Sequence, residues 1–511
     1  MSDPLATGRR RTEPLGTFCL VLHTHLPWVA HHGSWPVGEE WLHQACTGSW
    51  RRVIAVLESL AAHGYSEVAT LGVTPILAAM LDDPYCLSEL HSWTGRWQLR
   101  AEELASRGEF AELAAHERSA ATACLADLES RWLTGGLSSV LRPLLDAGIV
   151  ELLGGPATHP FQPLLTDRLA TAQLSTGLAD ATWRFGRRPA GIWAPECGYA
   201  PGMEHLYSSQ AVSHFLVDGP AVRDRTGLGY LVGESEIVCF ARDLPLSYRI
   251  WSSGSGYPSG SAYRDFHTFD HRSGFRPARV TGLQVPSDAK GGWRPDAAYA
   301  SAQRDAHDFV SAVVARLHCV RSELGRPGLV VAAFDTELFG HWWYEGPEFL
   351  SAVLRLLPQA GVRLSTLTGA RDAGLVGGPI ELPATSWGAG KDWRVWDNES
   401  VRDLVDDAAH AQKRLFSLLD GLFGDDVTKA RDPVADQLAR EALLLTSSDW
   451  AFMVTRDSAA RYAHDRARAH AEAFHRLADL IESGQRDRAI GLAADLRQVD
   501  GPFGHLDART Y

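Results

Sequence analysis

Two acidic residues stand where a reactive carboxylate belongs. Glu196 follows the short apolar run 190–193, and Asp335 closes the run 329–334. They are 139 residues apart in sequence (335 − 196) and converge if both runs are strands of one barrel, whose functional groups gather at strand C-terminal ends. Paired carboxylates beside aromatic surfaces suit glycosidic-bond chemistry. One, ionised, attacks the anomeric carbon; the other, with a raised pKa, protonates the departing oxygen and later activates the acceptor. Further polar groups follow other apolar runs: His23-Thr24-His25 after 17–22, and Gly154-Gly155-Pro156-Ala157-Thr158-His159 after 149–153. Indole faces offer flat apolar platforms to the C–H faces of sugar rings. The chain has 17 Trp against 4 Met, and the Trp are unevenly placed. Trp28, Trp193, Trp342 and Trp343 flank run ends, Trp387, Trp393 and Trp396 cluster further on, and Trp450 follows Asp449.

Plainer readings compete with these. Glu337 rivals Asp335, because residues two apart share one side of a continuing strand. Two His at i, i+2 suit a metal, but no third ligand stands at a recognisable spacing. They also suit a core in which hydrogen bonds satisfy them. Trp50, Trp93, Trp97, Trp132 and Trp183 lie in helical patterns and are expected to pack in the core. The 7 Cys are odd in number, scattered and without a CxxC pair. They read as reduced, buried thiols in a cytoplasmic protein, and Cys197 has no base implied beside it.

The positioning elements follow from pattern. Seven apolar runs read as strands: 17–22, 67–71, 149–153, 190–193, 213–217, 329–334 and 362–367. Helical patterns such as 50–62 and 347–357 lie between several of them. That alternation predicts parallel strands with helical crossovers, and continuous apolar runs suit strands covered on both faces. Seven runs favour an incomplete, seven-stranded α/β barrel over a doubly wound sheet. The barrel is expected over 1–83 and 148–375. A helical insertion is expected over 84–147, with helices at 101–105, 109–133 and 138–147. A long mixed insertion occupies 219–327, with a Gly/Ser-rich, mobile loop near 252–261 and Tyr257 at its centre. From 376 to 511 the amphipathic stretches 403–422, 433–446 and 458–483 predict a C-terminal helical domain.

Charge excludes other classes. With 49 Lys+Arg against 62 Asp+Glu the net charge is −13, which lacks the basic surplus of nucleic-acid binders. No run reaches the ~18 apolar residues of a membrane span. Arg9-Arg10-Arg11 precede too short an apolar stretch for a signal peptide, so a disordered leader is expected.

The motifs then resemble a known family. His23-Thr24-His25-Leu26-Pro27, Gly154 to Pro160, Gly191-Ile192-Trp193-Ala194-Pro195-Glu196-Cys197-Gly198-Tyr199, Ala333 to Trp343 and Ser447-Ser448-Asp449-Trp450-Ala451-Phe452 come in order along nearly the whole chain. Together they resemble glycoside hydrolase family 57, and within it the 1,4-α-glucan branching enzymes. One residue departs from the pattern: Ala451 stands where Pro is expected. The resemblance implies a (β/α)7 barrel, Glu196 as nucleophile and Asp335 as general acid/base. It implies that His23 and His25 hold the donor sugar or orient the nucleophile, and that Tyr257 tips a loop closing over the cleft. Trp387, Trp393 and Trp396 would shape the acceptor side. Trp28, His159, Trp193, Trp342, Asp449 and Trp450 join the expected substrate contacts. The implied substrate is an α-1,4-glucan, with no cofactor, no metal, no nucleic acid and no membrane, acting as a monomer or small homo-oligomer. A 4-α-glucanotransferase or amylase uses the same two carboxylates. A binding protein with a decayed site and a metal-dependent deacetylase are the readings from other classes.

Overall fold

The first strand sets the architecture. β1 (Gly16–Thr24) is buried along all nine residues, as a central parallel strand must be. The computed structural model describes residues 13–35, 37–108, 110–252, 254–424 and 428–511. The leader expected before β1 lies, through Thr12, outside the described residues. After β1 come β2 (Ala69–Val73), β3 (Val150–Gly154), β4 (Gly191–Ile192), β5 (His214–Asp218), β6 (Gly229–Val232), β7 (Val238–Arg242), β8 (Leu329–Asp335), β9 (Val362–Leu364) and β10 (Val376–Ile380).

Seven strands, in the order β7-β5-β4-β3-β2-β1-β8, form a curled parallel wall. Between its ends no ladder forms among the described residues; one main-chain bond, Asp243 N–H to Val331 O at 2.9 Å, bridges β7 to β8. The barrel is thus incomplete, as the sequence predicts. Its membership differs from the sequence reading at one strand. The run 362–367 yields β9, which pairs with residues 16–18 of β1 and stays outside the order. The seventh wall strand is β7, which the sequence reading left inside the mixed insertion. β7 is reached from β5 through the antiparallel partner β6 rather than through a helix, so the strand–helix alternation skips it.

Wall residues alternate between two cores. Cys19, Val21, Leu153, Leu216, Phe240, Val331 and Ala333 fill the barrel interior. Phe18, Leu20, Leu22, Val330, Ala332 and Phe334 face the surrounding helices, including Phe309, Val313 and Leu317 of the 30-residue helix Pro295–Leu324. The insertion after β2 carries Pro84–Ser106, Ala111–Asp127 and Leu133–Asp146. The single helix expected over 109–133 runs from Ala111 through a π-turn at Leu128–Trp132, and the break before the next helix comes at Gly136, at φ 62°; residue 109 lies outside the described residues. Beyond β10, which occupies the start of the stretch expected to be helical, lie Arg402–Leu422, Pro433–Leu445, Ser448–Thr455, Ala460–Glu482 and Arg486–Val499. Trp28 Nε1 ties the loop after β1 to this bundle by donating to Val499 O at 2.9 Å. Two expected core residues are at the surface. Trp183 is 71% exposed, on the outward side of Asp167–Phe185 while Ala181 and Phe185 turn inward. Cys319 is exposed, and the other six Cys are free and buried.

Helix Asp167–Phe185 braces the loop after β3. Gln173 O accepts from Ala157 N at 2.8 Å, and the Gln173 side chain bonds Thr158 N at 3.0 Å and Thr158 Oγ1 at 2.7 Å. The approach is close because residue 177 is glycine: a Cβ there would sit 2.1 Å from Gly155 O. Gly177→Ala is therefore expected to cost about 1–3 kcal/mol through overpacking. Urea unfolding reads this directly, and an unchanged midpoint would show that the loop can move aside.

Candidate active site

The alternation of β1 and β8 places the first two polar groups. Cys19 and Val21 point inward, so His23 does too; Val331 and Ala333 point inward, so Asp335 does too. His23 and Asp335 are also register partners at the C-terminal ends of these strands. Glu337 does not continue the series, because Thr336–Leu338 turns as a 3-10 helix. Its carboxylate is buried and accepts from Trp50 Nε1 at 2.5 Å.

Glu196 arrives from β4, where the chain turns through Pro195–Cys197 with Glu196 at φ 59° and Cys197 at φ 50°. His159 has φ 56°. Three left-handed non-glycine residues near one site cost about 1–3 kcal/mol each and hold their side chains in fixed directions. Glu196 Oε2 accepts from Trp387 Nε1 at 2.8 Å, and Oε1 accepts from Ser448 Oγ at 2.8 Å. The Trp387 loop is clamped in turn. Arg242 and Asp218, partners on β7 and β5, form a two-point pair at 3.0 and 3.1 Å. Lys391 Nζ binds Asp218 Oδ2 at 2.6 Å and donates to Trp387 O at 2.9 Å.

Burial dominates the electrostatics. It pushes Glu196 up to about 7, against the bonds from Trp387 and Ser448 that favour the ionised form. Burial and then the charge of Glu196 push Asp335 up to about 7. Burial, with Asp335 beside it, pushes Glu337 up to about 8. Among the described residues no hydrogen-bond donor reaches the Asp335 carboxyl. Burial also pushes the Cys197 thiol far up, so it stays protonated.

The histidines form a pile of rings. Trp193 stacks on His23 at 4.3 Å and 10°, His23 lies 4.9 Å from His159, and His159 lies 3.9 Å from His25. Burial pushes His23 and His159 well below the usual imidazole range, so both are neutral. His25 is oriented at both nitrogens, Nδ1 to Thr74 Oγ1 at 2.9 Å and Nε2 to Asp449 Oδ2 at 2.9 Å. Asp449 also accepts from Ser447 Oγ at 2.6 Å.

These groups open on a cavity of about 880 Å³. Of the residues predicted from sequence, His23, His25, His159, Glu196, Asp335, Trp342, Trp387 and Asp449 line it. The others do not. Trp28, Trp193, Trp396 and Trp450 are buried; Trp396 stacks on Phe161 at 4.5 Å, with Trp393 nearby, and Trp450 donates to Leu444 O. Tyr257 sits against Phe309 and Phe349, its hydroxyl donating to Asp308 Oδ2 at 2.5 Å, so it does not face the carboxylates here. The aromatic edge comes instead from Tyr248 and Trp251, on the helix Leu244–Trp251 that follows β7, and from Trp35. Sequence reasoning missed Tyr248, Trp251 and Arg242 because it missed β7, although the motif of polar groups after an apolar run is present there too.

Known proteins resemble this chain in sequence and fold. The family model for glycosyl hydrolase family 57 matches residues 19–372, and the model for the 1,4-alpha-glucan branching enzyme C-terminal region matches residues 408–511. The chain is 50% identical to a probable 1,4-alpha-glucan branching enzyme of Mycobacterium tuberculosis, over 97% of this chain and 98% of the relative. It is 34% identical to a 1,4-alpha-glucan branching enzyme of Thermococcus kodakarensis, over 96% of this chain and 77% of the relative. The crystal structure of a family 57 branching enzyme from Pyrococcus horikoshii superposes with a TM-score of 0.90 at 32% identity, covering 97% of this chain and 96% of that one.

The raised carboxyls predict a stability signature. Asp335 titrates near 7 when folded and near its ordinary value of 3.8 when unfolded. Between those values the folded state holds the extra proton, so stability falls as pH rises through the window. Asp335→Asn removes that loss. Its Tm relative to the parent protein is expected to climb between pH 4 and pH 8 in a thermal scan; a pH-independent difference would mean that Asp335 is ordinarily solvated.

Proposed function

The chain belongs to glycoside hydrolase family 57, and from that we propose that it is a 1,4-α-glucan branching enzyme acting by retaining double displacement. It cleaves an α-1,4 bond of a glucan chain and transfers the chain to a 6-hydroxyl. The observation that carries this reading is the unequal treatment of two buried carboxyls in one cavity. Glu196 has two donors that favour its anion, which suits a nucleophile. Asp335 has none and feels the charge of Glu196, which suits an acid that keeps its proton. Burial brings both carboxyls to about 7, and the donors present at Glu196 and absent at Asp335 are what favour the nucleophile at one and the acid at the other.

The reaction then follows from the groups present. The Glu196 anion attacks the anomeric carbon while Asp335 gives its proton to the departing glucosyl oxygen. Asp335, now ionised, takes the proton from the incoming 6-hydroxyl, which attacks the glycosyl-enzyme and frees Glu196. His23, His25 and His159, neutral or hydrogen-bonded, face the donor sugar's hydroxyls. Trp342 and Trp387 give it flat apolar walls, and Trp35, Tyr248 and Trp251 extend them toward the acceptor. Aromatic faces beside the carboxylates favour a sugar acceptor over water. The net charge of −13 does not oppose a neutral polymer.

Amylose treated with the protein is expected to gain α-1,6 linkages, read by the anomeric proton signals or by debranching. Rising reducing ends without new branches would point instead to hydrolysis, and longer unbranched products to 4-α-transfer. Asp335→Asn is expected to lower kcat by ~10²–10⁴-fold. Trp387→Phe removes a bond that lowers the Glu196 pKa. The ionised fraction at a given pH falls, so the acidic limb of kcat/KM is expected to move to higher pH. An unmoved limb would take Glu196 out of the nucleophile's role.

A further inference from the structure

Among the described residues, two clusters of metal-ligating side chains stand in the fold. Glu441, His470 and Asp500 lie buried in the helical bundle. That cluster already contains a fixed cation: Arg466 Nη2 reaches His470 Nε2 at 2.8 Å and lies 3.7 Å from Asp500. Gln437 Nε2 covers Glu441 Oε1 at 2.8 Å, and His32 Nε2 covers Asp500 Oδ1 at 2.7 Å. Its charge is compensated and its donor atoms are occupied.

Among the described residues His25, His159 and Asp449 have no guanidinium bonded to them, and one of their ligand atoms, His159 Nε2, is buried without a partner. One ligand atom from each lies within 4.8 Å of both others. Asp449 is the third ligand that the sequence does not show, because it is 424 residues from His25. We propose that His25, His159 and Asp449 form a binding site for a divalent transition-metal ion, zinc above all, and that the ion shuts the active site. Two imidazoles and one carboxylate are a recurrent ligand set for such ions. Zinc–ligand distances of about 2.0–2.2 Å place donor atoms roughly 3.4 Å apart in a tetrahedron. His25 Nε2 and Asp449 Oδ2 stand at 2.9 Å and open slightly on binding, while His159 offers its atom from within 4.8 Å of both.

Further observations favour the ion. His159 Nε2 is buried without a partner, and the ring is 2% exposed. The Nε2 proton of His25 moves to Nδ1, where Thr74 Oγ1 at 2.9 Å accepts it. An outer hydrogen bond of this kind orients ligand imidazoles in metal sites. The cavity leaves the remaining coordination positions open to water or a sugar hydroxyl.

Occupancy explains the inhibition. The ion removes two imidazoles from the sugar site. It also brings positive charge beside Glu196, whose Oε1 is 4.0 Å from His159 Nδ1. The inhibitory half of the proposal rests on the branching reading above; the binding half does not.

Metal content separates the two. Chelator-treated protein is dialysed against zinc chloride, washed, and analysed by atomic emission. The expected result is one zinc per chain, with visible d–d bands of four- or five-coordinate cobalt when Co²⁺ replaces zinc. Asp449→Asn and His159→Gln each lose the ion while keeping their far-ultraviolet spectrum, and His470→Gln keeps it. Thr74→Val weakens zinc affinity by about 10–100-fold. Transfer activity falls in proportion to occupancy and returns with EDTA. No bound zinc, or zinc retained by both Asp449→Asn and His159→Gln, overturns the site. Full activity at full occupancy overturns the inhibition. A chain that binds zinc as described but makes no α-1,6 linkages under any condition refutes the branching reading and leaves the metal site standing.

Discussion

A carboxylate withdrawn from water needs donors, and Glu196 finds its two in distant parts of the chain. Trp387 is 191 residues away and Ser448 is 252 residues away. The barrel alone supplies the acid but not its solvation. The segment after the barrel and the first turn of Ser448–Thr455 complete it. The Arg242–Asp218–Lys391 network has the same logic. It is a buried charge cluster whose function is to hold the loop that solvates another buried charge.

Strand parity does the rest of the positioning. An interior packed by apolar side chains below the rim opens at its top onto His23 and Asp335. The ring pile then extends from Trp193 through His23 and His159 to His25, where Asp449 returns from the bundle. The buried, stacked imidazoles of His23 and His159 give donors and acceptors for sugar hydroxyls without a charge to desolvate. Tryptophan therefore serves two separate purposes here. Trp387 and Trp342 present surface to the cavity, while Trp193, Trp396 and Trp450 make the wall behind it rigid.

What was legible in the sequence follows the same division. Glu196 and Asp335 could be found because each ends a continuous apolar run, and a run of that kind has one direction and one top end. The helical stretches could be found because amphipathic periodicity is local. β7 could not, since it is five residues long and entered from an antiparallel neighbour; with it went Arg242, Tyr248 and Trp251, which lie at or just beyond its top end. Nor does sequence distinguish Trp387 from Trp396, nine residues apart and chemically identical, since which face each presents is set by Phe161 on one side and Glu196 on the other. The same holds for Trp183, whose helical pattern fits a core and whose actual place is the surface.

The long reach of the Glu196 contacts also has a meaning in time. A ribosome delivers residue 196 long before residue 448. At about 5–20 residues per second, the 252 intervening residues take ~13–50 s to appear. During that interval the carboxylate has neither its Ser448 donor nor the helical bundle over the cavity. The emerging barrel thus carries an acid solvated by water rather than by its protein donors, and the native pocket becomes available only as the last fifth of the chain is made. Synthesis itself keeps a glucan-cutting surface incomplete until the parts that direct its product are in place.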